Sequence, residues 1–145
     1  MRKLIAILLI HTLFVFDLNA QQGFENLLGI ASYEEIKKDV PGTPCSFDEE
    51  TLIYCLPDNA QLILKFRNDV FISFNMLEQY KNKFEAFEKS EELKSEVMNW
   101  LNQEPEFLEV KEGIMYIFNY EKNNLTYYIS IFLSHDNQVG FWTSI

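Results

Sequence analysis

The chain predicts an α+β fold: an antiparallel sheet with helices on one face. Three observations lead there. Short runs rich in Ile, Leu, Phe and Tyr are separated by turn residues such as Pro57-Asp58-Asn59 and Arg67-Asn68-Asp69. Ser32-Tyr33-Glu34-Glu35 has the layout of a capping box that opens a helix. A longer stretch of helical period then separates two groups of strand-like runs.

In chain order, Met1-Arg2-Lys3 is a short basic start and Leu4–Phe16 is a nearly unbroken apolar run of thirteen positions. A bilayer core of about 30 Å needs roughly 20 apolar residues, so this run is too short to span one. With Leu18-Asn19-Ala20 behind it, it has the basic-apolar-small order of a secretory signal peptide, cleaved near Ala20. The expected product is an exported protein, periplasmic or secreted, formed by residues 21–145 as one α+β domain. No other run approaches membrane-spanning length, so no transmembrane segment is expected after cleavage.

Phe24, Leu27, Leu28 and Ala31 suit a helical turn ahead of the capping box. The helix opened by Ser32 should be short, because Pro41 and Gly42 stop it. Strands are expected at 51–56, 61–66 and 70–74; in the second, Leu62, Leu64 and Phe66 alternate with Gln61, Ile63 and Lys65. From Leu77 to Gln103 the apolar stripe changes phase. Leu77, Tyr80, Phe84 and Phe87 form one group, and Leu93, Val97, Trp100 and Leu101 a second, turned by roughly 130°. Ser90-Glu91-Glu92 lies between them like an N-cap with first-turn acids. Two helices, or one sharply kinked helix, are therefore expected, with the break near Lys89–Glu91. Further strands are expected at 107–110, 114–120, 125–133 and 139–145.

The signals recur in similar order. Pro44, Tyr54, Phe66 and Val70 follow the first helix, and Pro105, Tyr116, Phe132 and Val139 follow the second. The chain can thus be read as two tandem α-β-β-β units, residues 24–75 and 90–145. The run Ser32-Tyr33-Glu34-Glu35-Ile36-Lys37-Lys38-Asp39-Val40, then Gly42-Thr43-Pro44, Tyr54 and Leu64-Lys65-Phe66 resembles the SmpA/OmlA pattern. In that family a short helix ends in a Gly-x-Pro turn, followed by a Tyr-containing strand and an aromatic-ended one. The related β-lactamase-inhibitor-protein-like fold places two such units in tandem. The resemblance spans roughly residues 29–74 and, more loosely, 91–145. It implies an envelope or secreted protein that acts by binding other proteins. Two departures stand out: no lipid-attachment cysteine follows the leader, and Gln103-Glu104-Pro105 stands where Gly-x-Pro would.

Charge and cysteine content narrow the function. Losing Arg2, Lys3 and Asp17 with the leader changes 12 basic and 22 acidic residues to 10 and 21, a net charge of −11. So acidic a chain is a poor partner for nucleic acid, whose phosphates are met by clustered Lys and Arg. Cys45 and Cys55, the sole cysteines, should form a structural disulfide, as an even pair in an exported chain usually does. Asn124-Leu125-Thr126 is a glycosylation sequon that matters only in a eukaryotic source.

No catalytic, cofactor or metal site is legible. Ser134-His135-Asp136 has the residues of a triad, but neighbours in sequence point apart and cannot relay a proton among themselves. Glu34/Glu35, Asp48/Glu49/Glu50 and Glu91/Glu92 read as solvated caps and turns rather than as carboxyls facing across a cleft.

The functional hint is apolar. Ile114, Tyr116, Phe118 and Tyr120 would share one face of a strand with Met115 and Ile117 opposite, while Tyr127, Ile129, Ile131 and Leu133 leave Tyr128 and Phe132 opposite. Both faces of the sheet then carry large side chains, and one must be covered or must bind something. The reading is a non-enzymatic protein-binding module with Tyr128, Phe132 and Trp142 as partner contacts. The alternatives are a carrier, with the same aromatics lining a sheet–helix cavity around a small hydrophobic ligand, and a secreted hydrolase.

Overall fold

The computed structural model describes residues 23–145, so the predicted leader and its cleavage point lie outside the described residues. The elements are α1 (Tyr33–Asp39), β1 (Ser46–Phe47), β2 (Thr51–Cys55), β3 (Gln61–Arg67), β4 (Val70–Gln79), α2 (Lys83–Leu101), β5 (Glu106–Val110), β6 (Gly113–Lys122), β7 (Leu125–Ser134) and β8 (Gln138–Ser144). All eight strands form one antiparallel sheet in the order β1-β2-β3-β4-β8-β7-β6-β5. Each half is thus one helix followed by four strands, not three. The halves meet where β4 pairs with β8, and the two-residue β1 and five-residue β5 lie at the rims.

Local chemistry explains the ends of these elements. Ser32 and Glu35 form the expected capping box, and α1 stops at Val40, just before Pro41. Tight turns fall on Asn and Asp, which tolerate a left-handed backbone: Asn68 and Asp69 at φ 51° and 62°, Asn123 and Asn124 at φ 53° and 61°. A register shift at Lys65/Phe66 lets β3 and β4 bend before their turn.

The 77–103 region departs from its expected break. Residues 77–79 complete β4, and α2 is one nineteen-residue helix that runs through Lys89–Glu91. Its N-cap is Asn82, whose Oδ1 accepts from the Glu85 N–H at 3.0 Å. Ser90 is no cap: it is buried within the helix, and its Oγ donates to the Phe87 carbonyl at 2.8 Å. The face toward the sheet is Ala86, Ser90, Leu93 and Val97, while Phe84 and Phe87 stay 68% and 46% exposed. Small residues let the start of α2 lie close on the strands. Of the group that suggested a break, Phe84 and Phe87 point to solvent, whereas Leu77 lies in β4 and Tyr80, ahead of the helix, packs against the core.

Both helices pack on the same sheet face. Beneath α2 lie Phe118, Ile129, Ile131 and Phe141 in the fully buried core, and beneath α1 lie Phe66 and Phe71. Phe24, Leu28 and Ala31 close the first half, with Phe24 against Phe71 and Phe74 at ring separations of 6.1 and 5.2 Å. Glu25 is wholly buried there and meets Lys122 Nζ at 2.6 Å, tying this segment to the end of β6. The Cys45–Cys55 disulfide is present, with the Cα atoms 5.8 Å apart, and links the approach to β1 with the end of β2.

Candidate functional site

Antiparallel register assigns every strand residue to a face. The face turned from the helices carries Ile53 on β2, Ile63 on β3, Leu77 on β4, Trp142 on β8, Tyr128 and Phe132 on β7, Met115 and Ile117 on β6, and Leu108 on β5. Each retains part of its surface, Tyr128 as much as 47%, and none belongs to the hydrophobic core cluster. Among the described residues, no element packs over this face.

The three predicted contact residues fall here together. Tyr128, Ser130 and Phe132 stand opposite Ser144, Trp142 and Gly140 respectively. Trp142 and Phe132 stack, ring centroids 6.2 Å apart and planes 18° from parallel. Gly140 makes room for Leu77: a Cβ there would press on Leu77 Cδ2 at 3.1 Å, while Phe132 Cβ and Trp142 Nε1, both at 3.6 Å, would be in ordinary contact. Tyr128 stands two pleats from Phe132, toward the other end of the strand. A cavity between sheet and helices would have to draw on other side chains, because these three face away from the helices.

At the Phe132 end the face dips into a cleft of about 450 Å³ walled by Val110, Glu112, Met115, Phe132, Asp136 and Trp142, with Ser134, His135 and Gln138 completing the rim. Ser134 here is a turn residue: its Oγ accepts from the amides of Asp136 and Gln138 at 3.2 and 2.9 Å. His135 donates its backbone N–H to the Glu112 carbonyl at 2.8 Å.

The carboxylate clusters have local roles. Glu35 closes the capping box, and Asp48 accepts from the Glu50 amide at 2.8 Å. Glu91 is met by Lys94 and by the Tyr116 hydroxyl, which donates at 2.8 Å, while Glu92 pairs with Lys89 at 3.3 Å. Burial alone would raise the Glu91 carboxyl, but the Lys94 and Tyr116 hydrogen bonds outweigh it and hold the group below its ordinary value. Burial, with the Glu91 hydrogen bond and charge, pushes the Tyr116 phenol up to about 12. Among the described residues, no group of three or more His, Cys, Asp or Glu side chains is placed to hold a metal ion. No helix among them is long and apolar enough to cross a membrane.

Sequence reasoning missed Ile53, Ile63 and Leu77 as parts of the outer face. Ile63 shares its face of β3 with Gln61 and Lys65 and so looks turned from the core, as it is. What could not be read is that β4 lies beside β8, which sets Leu77 opposite Gly140 and Asn75 opposite Trp142 and joins the two halves' apolar residues into one surface.

No protein-family model and no curated protein matches this chain. Among solved structures it is similar to a DUF4309 family protein, YjgB, from Bacillus subtilis subsp. subtilis str. 168, determined by crystallography at 2.13 Å. The identity is 12%, the alignment covers 81% of this chain and 80% of that one, and the TM-score is 0.49.

Proposed function

We propose that this chain is an exported, non-enzymatic protein-binding module that meets its partner with the sheet face opposite the helices. One observation carries the reading: that face is laid with large, partly exposed side chains, the Phe132–Trp142 stack among them. Scattered apolar residues are ordinary on a protein surface, whereas a contiguous patch that includes Tyr and Trp has the composition of binding hot spots. A rigid sheet also presents such groups at little cost in conformational entropy. The leader-like start and the disulfide support export, since disulfides persist in oxidising compartments.

The test is native mass spectrometry of the protein recovered, unreduced, from its own secretory compartment, repeated with Trp142→Ala and Tyr128→Ala. A protein partner should accompany the wild type. Its affinity should fall on the order of tenfold or more in the variants, with the fold intact by far-UV circular dichroism. A partner held equally by all three would place binding elsewhere. A bound apolar small molecule in place of a protein would make the chain a carrier, and a wild type without any partner would leave the reading unsupported.

A further inference from the structure

The cleft beside the Phe132–Trp142 stack combines two chemistries. Val110, Met115 and the stacked rings give it an apolar lining, and the exposed acidic residues Glu112 and Asp136 line it as well. A purely aliphatic or aromatic guest would use the apolar lining alone and leave the two exposed carboxylates facing water without a partner. An anionic guest would be repelled. A side chain with an apolar stem and a cationic head satisfies both parts. The flat guanidinium does so better than an ammonium, because it can stack on an indole face while donating to carboxylates from its edge.

The molecule already uses this pairing on its helix side. Lys37 lies over the rings of Tyr33 and Phe47 at 5.6 and 5.3 Å from their centroids, and Lys94 lies over Tyr116 at 4.6 Å. Among the described residues, no cation lies over Phe132 or Trp142. The acidic balance, −10 over the whole sequence and −11 without the leader, further favours a basic visitor. Resting on the protein-binding reading above, we infer that the cleft is the pocket for an arginine side chain of the partner, carried on a segment whose flanking apolar residues lie along the outer sheet face.

A random dodecapeptide phage library selected on the disulfide-bonded protein tests this, followed by affinity measurement on the synthesised peptides. Wild-type binders should be enriched in arginine at one position, and replacing that arginine by citrulline should weaken binding on the order of tenfold. The double variant Glu112→Gln/Asp136→Asn, which keeps side-chain size and leaves the core untouched, should lose a similar factor. Binders without arginine, an unchanged affinity for the citrulline peptide or the double variant, or a failure to select any binder would each overturn the inference. If Trp142→Ala and Tyr128→Ala weaken the peptides while the double variant does not, the outer face remains the binding surface and only the arginine pocket fails.

Discussion

The half built from α1 and β1–β4 covers its strands with a seven-residue helix, whereas the half built from α2 and β5–β8 uses nineteen residues. The shorter helix buries Ile36 alone; the longer buries Ala86, Ser90, Leu93 and Val97. The first half makes up the difference with other devices. Phe24, Leu28 and Ala31 come from outside its helix to close the core, and the Cys45–Cys55 bridge secures its two-residue rim strand. Both halves are therefore held by packing, and the first adds a covalent link at its rim. The difference shows two ways to cover four strands: one long helix, or a short helix supplemented by an apolar segment ahead of it.

The contrast can be broken most severely beneath α2. Phe118→Ala empties a fully buried site beneath α2 and should cost about 3–5 kcal/mol, read from urea unfolding. Removing the bridge with Cys45→Ala/Cys55→Ala should cost about 2.5–3 kcal/mol. Hydrogen exchange should then rise in β1 and β2 well before α2; uniform loss of protection would mean that the halves do not differ in this way. Ser32→Ala deletes the α1 capping box and should cost about 1 kcal/mol, measured by the same titration.

A smaller effect depends on pH and belongs to the second half. A carboxyl held low in the folded state adds stability above its ordinary value, near 4.5, and loses it as pH falls through the lower folded value. Glu91→Gln should therefore flatten the acid limb of the stability–pH curve below about 4.5 and leave its slope near neutrality unchanged. An unaltered acid limb would remove the Lys94–Glu91–Tyr116 cluster from the account. Smallest of all, Tyr128→Ala should leave stability within about 0.5 kcal/mol of wild type, because its ring faces solvent. A larger loss would reassign Tyr128 from surface to structure.

The strands were legible because their period is local. Leu62, Leu64 and Phe66 occupy the buried face they were expected to occupy, and so do Tyr127, Ile129, Ile131 and Leu133. The Ser32 cap was legible for the same reason, and the Cys45–Cys55 bridge because these are the sole two cysteines of a chain with a leader-like start. The continuity of α2 was not. Ala86 and Ser90 carry too little apolar surface to mark a buried stripe, and Phe84 and Phe87 carry enough to suggest a false one. Rim strand β1 was missed because two exposed residues, Ser46 and Phe47, have no period. The candidate surface was half legible. Tyr128, Phe132 and Trp142 could be named, but their neighbours Ile53, Ile63 and Leu77 join them only through the β4–β8 pairing, which no local pattern encodes.

That central pairing also sets the timetable of assembly. Met76 pairs with Phe141 and Asn75 with Trp142, although a helix and three strands intervene along the chain. As a nascent chain emerges, the first four strands can zip together as neighbours, but β4 then presents ten residues of open edge until β8 arrives. Closures over such separations are slow, and an open edge is adhesive while it waits. The seam that unites the two halves is thus also the interval in which the unfinished molecule is most vulnerable to pairing with the wrong strand.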